Sequence, residues 1–191
     1  MLGSQFKLIK ALAFIHKKHS LSIEEFQHYY ETQHSPLAKS LLAFESYERN
    51  YMNSDFNSSI EDLGSISIFK YESEKSLEVV AEQMSLSAGD ILREDELNFM
   101  SVPLNFYVFT GSNENHASAF QQKIFYVAKN AKDLQMLDGQ KGLEKISDNL
   151  ISDHNKIIGV PEYGITQKIK AGDLKIIAEQ FPGLIFTNSF S

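Results

Sequence analysis

Phe26-Gln27-His28-Tyr29-Tyr30-Glu31-Thr32-Gln33-His34-Ser35-Pro36-Leu37-Ala38 is the stretch whose reading decides the fold. Ile23, Phe26 and Tyr30 fall at helical spacing and share a face, and His34 continues the line four residues on. Ser22 stands where a helix cap belongs, Glu25 completes a capping box, and Leu21 can staple to Phe26. At the far end, Pro36 cannot sit inside an uninterrupted helix without the loss of a hydrogen bond. The expectation is a break at His34, with Ser35 as cap and Pro36 opening a short second helix through Leu41.

Working outward, Phe6 to Ile15 is apolar apart from two lysines and reads as a buried strand. His16-Lys17-Lys18-His19 reads as a solvated turn. Downstream, Phe44 to Met52 reads as a strand, Asn53 to Glu61 as a polar loop and Gly64 to Tyr71 as a strand. Ser73 caps a helix whose inner stripe is Leu77, Val80, Ala81 and Met84. Ser87 to Leu97 is a further helix and Asn105 to Thr110 a fourth strand. The order β-α-β-β-α-β is ferredoxin-like: an antiparallel sheet with helices on one face. Its other face needs a cover, from the same chain, a second chain or both.

Gly111 to Ala119 is polar and divides the chain into units at 1–113 and 119–191. The second unit opens with a strand at Lys123 to Ala128. Leu143, Ile146 and Leu150 stand 11, 8 and 4 residues before His154, as Ile23, Phe26 and Tyr30 stand before His34. That spacing predicts a helix. Val160 to Thr166 then takes the place of the Phe44 to Tyr51 strand, Asp173 to Gln180 is a short helix and Leu184 to Phe190 a last strand. The second half reads as a degenerate tandem copy that lacks one strand.

Hydrophobic content of 42% and charged content of 23% are ordinary for a globular chain of 191 residues. A net charge of −7 argues against a nucleic-acid surface. The absence of cysteine excludes disulfides and thiolate metal sites and fits a cytoplasmic protein. No apolar run approaches the roughly 20 residues of a membrane span. HExxH, P-loop, GxGxxG and GxSxG patterns are missing, and His16, His19 and His116 lack ligand spacing, so neither metal nor cofactor is expected.

Tyr30-Glu31-Thr32-Gln33-His34-Ser35-Pro36-Leu37 resembles the helix-end pattern of EthD-domain proteins, of the dimeric α+β barrel superfamily. Tyr47-Glu48-Arg49-Asn50-Tyr51 resembles the strand that follows there, and Glu94-Asp95-Glu96-Leu97-Asn98-Phe99 its acidic-aromatic segment. The three occur in the family's order and cover roughly Phe6 to Thr110. The resemblance implies an α+β barrel of ferredoxin-like units, a pocket between helix and sheet, and a homodimer. The family includes proteins linked to degradation of xenobiotic ethers. Relatives decarboxylate, dehydrate or cyclise aromatic polyketides without metal or organic cofactor. In the second half only His154, Pro161 and Tyr163 match, and Ile165-Thr166 stands for Arg49-Asn50, which argues against a second working site.

His34 is the candidate general acid/base, because an ordinary imidazole titrates near neutral pH. A helix end and a carboxylate such as Glu31 would favour its charged form. The alternative is that His34 only caps helix carbonyls. Tyr30, Tyr47 or Arg49 would stabilise an oxyanion. Tyr47, Arg49 and Tyr51 share strand parity, and Asn50 faces the other way with Glu48. Arg49 could instead pair with Glu48 or Glu45, and Glu94-Asp95-Glu96 reads as a structural, solvated face. The expectation is a cofactor-free lyase- or isomerase-like enzyme for a small aromatic or polyketide-like molecule. The alternatives are a module binding a small apolar ligand, and a cofactor-free oxygenase.

Overall fold

In a computed structural model, residues 8–56, 60–112, 120–151, 157–166 and 169–190 are described. The first half runs β1 (Leu8–His16), α1 (Ile23–Tyr29), a π turn (Tyr30–His34), α2 (Ser35–Leu41), β2 (Ser46–Met52), β3 (Leu63–Tyr71), α3 (Glu74–Ser85), α4 (Ser87–Phe99) and β4 (Phe106–Ser112). The second runs β5 (Gln122–Phe125), β6 (Leu143–Ser147), β7 (Glu162–Ile165), α5 (Ala171–Gln180) and β8 (Ile185–Phe190). All pairings are antiparallel, in one sheet of order β4-β1-β3-β2-β8-β5-β7-β6. The first four strands and the last four therefore repeat one ferredoxin-like order, joined where β2 pairs with β8.

Strand alternation assigns the two faces. Leu12, Phe14, Ile66, Ile68 and Val108 of the first half meet Phe125, Val160 and Ile185 of the second in one buried cluster. The sheet thus curls until its halves face each other, and the face that a partner subunit would cover is covered by the same chain. Each such buried side chain stabilises by roughly 1.5–3 kcal/mol. The interior also holds charge. Lys10 Nζ donates to Glu162 at 2.7 Å, and Lys123 Nζ donates to Glu162 at 2.8 Å and to Glu48 at 2.5 Å. Burial pushes Glu162 up, but Lys10 and Lys123 hold its carboxyl at about 2. This network ties β1 and β2 to β5 and β7.

The opposite face of the first half packs under helices. Phe26 is fully buried there against Tyr30, Tyr51 and Phe99. Gly64 of β3 makes the room: a Cβ at that position would lie 2.6 Å from the Phe26 ring.

Three expectations are corrected. His16 is not in a turn; it ends β1 and is 5% exposed. Residues 143–147 form a strand, not a helix, bracketed by Gly142 and Asn149 at positive φ (88° and 43°), which interrupt helical continuation. The second half consequently lacks the first helix, not a strand, and β7 takes the place of β3 while β6 takes that of β2. His116 and His154 lie outside the described residues.

Candidate functional site

The capping box forms as expected: Glu25 N–H donates to Ser22 Oγ and Ser22 N–H to the Glu25 carboxylate. The break at His34 does not form. His34 and Ser35 both keep right-handed helical dihedrals, and the chain passes from α1 to α2 through the π turn, with Ser35 N–H bonded to the Tyr30 carbonyl. In a regular helix the Pro36 ring would meet the carbonyl four residues earlier. One wider turn relieves that clash without ending the helix, a device found often at functional sites. Tyr30 and His34 remain neighbours, their rings edge-on at 4.9 Å.

His34 is 5% exposed, and its Nδ1 lies 2.8 Å from Asp95 Oδ2. A carboxylate only accepts, so Nδ1 carries the hydrogen and Nε2 is the basic nitrogen. Tyr29 OH donates to the other Asp95 oxygen at 2.7 Å and accepts from Asn98 at 3.1 Å. Asp95 is thereby fixed from both sides. Burial lowers the His34 pKa below the ordinary histidine value, and Asp95 only partly opposes this. The imidazole is therefore neutral at pH 7, not the imidazolium expected at a helix end. Its carboxylate partner is Asp95, not Glu31.

Tyr47 OH donates to Tyr30 OH at 2.7 Å, and Ser67 Oγ lies 3.1 Å from the same oxygen. Burial pushes the Tyr30 phenol to about 12 and Tyr47 well above its usual value, so both stay protonated. The shared parity of Tyr47, Arg49 and Tyr51 holds, but Arg49 is occupied elsewhere. Its Nε and Nη2 fork Glu31 at 2.9 and 2.7 Å, and Nη1 donates to the Tyr47 carbonyl. Tyr51 OH also donates to Glu31. Burial raises Glu31, yet Arg49 and Tyr51 hold it below the usual carboxylate range. Arg49 thus joins the helix to β2 and is not in the cavity wall described next.

That cavity, about 270 Å³, lies between the helices and the sheet. His34, Tyr30 and Tyr47 line it, with Phe44, Phe69, Met84, Leu92 and other apolar groups. Ala81 and Met84 of the expected α3 stripe face this space and are not fully packed. Glu96 and Tyr107 also line it, and sequence reading assigned neither. Burial, with Asp95 adding to it, raises the Glu96 pKa, against the pull of Arg93. Asp95 was legible as a member of a charge run and of the acidic-aromatic segment, and was read there as structural. Its partner stands 61 residues away in the chain, a pairing that no local pattern carries.

Residues 18–102 match the EthD domain family. This segment is EthD-like and is called the EthD domain. His34, Asp95, Glu96, Tyr30 and Tyr47 all lie within it. An anthrone oxidase-like protein is similar in fold over nearly the whole chain, with TM-score 0.54, 10% identity, and coverage of 98% of this chain and 93% of that one. An EthD family protein from Bacillus halodurans aligns over 55% of this chain and 98% of its own, at TM-score 0.41 and 15% identity. An EthD-like protein from Ralstonia eutropha aligns over 59% and 97%, at 0.45 and 14%. No curated protein matches the chain. Among the described residues no helix is long and apolar enough to cross a membrane.

A second cavity, about 580 Å³, lies where the EthD domain meets the second half, lined by Asn53, Asp55, Phe56, Thr166 and Lys175 among others. Among the described residues it brings together no histidine or tyrosine. Among the described residues, His19, Glu61 and Asp62 alone could offer a metal ion three ligand atoms, all within 4.8 Å. Lys17 and His19 already bind Asp62 there, on the surface.

Proposed function

We propose that the EthD domain is a cofactor-free acid–base enzyme, lyase- or isomerase-like, for a small aromatic or polyketide-like molecule. The observation that carries this reading is His34 in the wall of an apolar cavity with Nδ1 taken by Asp95. The volume suits a ligand of one or two rings, being just under the roughly 300 Å³ at which small-molecule sites begin. In the reaction, His34 Nε2 removes a proton from a carbon next to a carbonyl. The electron pair passes to the carbonyl oxygen as an enolate. Tyr47 donates to Tyr30 and Ser67 can do the same, which leaves the Tyr30 proton for that oxygen. The imidazolium then returns its proton to another carbon or to a leaving hydroxyl.

Hydrogen–deuterium exchange at the benzylic α-carbon of 2-tetralone, followed by NMR, tests this. The protein should accelerate exchange, and His34→Gln should slow it by about 10²–10⁴-fold with the fold intact. An unchanged rate removes His34 from the chemistry. Binding of the ketone without accelerated exchange in the unmodified protein makes the domain a binding module. Oxygen uptake with an anthrone moves the same base to oxygenation.

A further inference from the structure

The cavity has an uneven charge inventory. Among the described residues that line it there is no lysine or arginine. The nearby cation, Arg49, is committed to Glu31 and the Tyr47 carbonyl. His34 is neutral, and its hydrogen goes to Asp95. The group left over is Glu96. It precedes Leu97 on α4 and follows Asp95, so one helix turn supplies both the carboxylate behind His34 and a carboxyl in the wall. Glu96 acts electrostatically on both Tyr30 and Tyr107, raising each, as expected for a carboxyl facing them across the cavity. Arg93 attracts it at a distance but is itself bound to Asp90.

A half-buried carboxyl with no cation beside it repels a second carboxylate and accepts from a hydroxyl. We infer that Glu96 is a specificity-determining residue, which selects neutral aromatic ligands that carry a hydroxyl and excludes those that carry a carboxylate. The inference rests on the reading of this cavity as an aromatic-ligand site and narrows it. A substrate that enters as a carboxylic acid, as decarboxylation requires, meets a second carboxyl group and, among the described lining residues, no lysine or arginine to pair with it. Elimination or isomerisation of a neutral hydroxylated compound does not.

The test compares 2-naphthol with 2-naphthoate at pH 7 by titration calorimetry. The protein should bind the naphthol at least about tenfold more tightly than the naphthoate. Glu96→Gln, which keeps size and hydrogen bonding, should narrow that ratio severalfold. Glu94→Gln removes the same charge from the exposed side of α4 and should leave the ratio where it was. Equal binding of both ligands by the unmodified protein overturns the inference. So does a ratio that Glu96→Gln fails to move, or one that Glu94→Gln moves as far. In each of those cases aromatic binding persists and the acid–base reading stands. Binding of neither compound overturns both.

Discussion

The two halves of the sheet share one strand order and differ in what covers them. Between its first two strands the first half has a helix of three segments, which carries Tyr30, Glu31 and His34 over the sheet. The second half has only short turns in the corresponding interval, between β5 and β6. Part of its cover comes from the first half: Phe56, in the β2–β3 loop, stacks on Phe186 at 4.1 Å. Tyr163 donates to Asp138 and closes the layer locally. The sheet order therefore builds a barrel, and the helix builds the site. A copy that keeps the strands and loses that helix keeps scaffold value without the element that holds His34 over the sheet of the first half.

The largest expected effect tests the joint between the halves. Lys123 is buried and bridges Glu162 and Glu48. Lys123→Met takes from Glu48 the cation it holds inside the barrel and leaves Glu162 with Lys10. The expected loss is about 3–5 kcal/mol in urea unfolding, the usual result of removing one partner from a buried ion network. A loss below about 1 kcal/mol would mean that water reaches these carboxylates and that apolar packing alone holds the halves together.

Next comes the His34–Asp95 pair of the EthD domain. Asp95→Asn should slow tetralone exchange by about 10²-fold, because an amide can also present N–H to Nδ1 and favour the wrong tautomer. A purely structural role would leave the pH profile in place. Here Asp95 raises the His34 pKa against burial, so its loss should move the acid limb of the profile to lower pH. A slower rate with an unmoved limb would reduce Asp95 to packing.

A third difference is acid sensitivity. Burial lowers the pKa of both His16 and His34, and both are in the first half. In the unfolded chain each titrates near pH 6.5. Below that pH the unfolded state binds more protons than the folded one, so stability falls as pH falls, until the folded imidazoles also protonate. The urea midpoint should therefore drop from about pH 6.5 downward. Glu31 and Glu162, both held low, add their own loss only below about pH 4.5. His34→Gln should flatten part of the first window, leaving the share due to His16. A pH dependence between about pH 6.5 and 5 that His34→Gln leaves unchanged would contradict the burial of that ring, since the raised Glu96 works in the opposite direction in both proteins.

Much of the EthD domain is written in local signals. Ser22 and Glu25, the helical line from Ile23 to His34 and the parity of β2 all lead to what is observed. The failures have physical causes. Pro36 signals a helix break, but a π turn can absorb a proline, and that choice is made by packing on Phe99 and β2. Leu143, Ile146 and Leu150 mimic a helix face, but the spacing of three apolar residues cannot outweigh turn residues at positions 142 and 149. Arg49 looks like an available cation until Glu31 is brought over it by the fold. Asp95 and Glu96 look like solvated charge, and only the tertiary approach of α4 to the π turn separates their surroundings.

The smallest expected effect lies at the start of the helix that distinguishes the halves. Ser22→Ala removes one bond of the capping box, which costs about 1 kcal/mol. The loss should be confined to α1 and the π turn, seen as faster amide exchange over residues 23–34 with the β5–β8 amides unchanged. Because α1 leads straight into the turn that carries His34, a looser start should also blunt tetralone exchange slightly, and less than Asp95→Asn does. If the amides of β5–β8 quicken equally, the helix is supporting the whole barrel, and the division into a shared scaffold and a helix-borne site is wrong. If they do not, the cap acts on the site alone, as expected of a helix laid over a sheet that can stand without it.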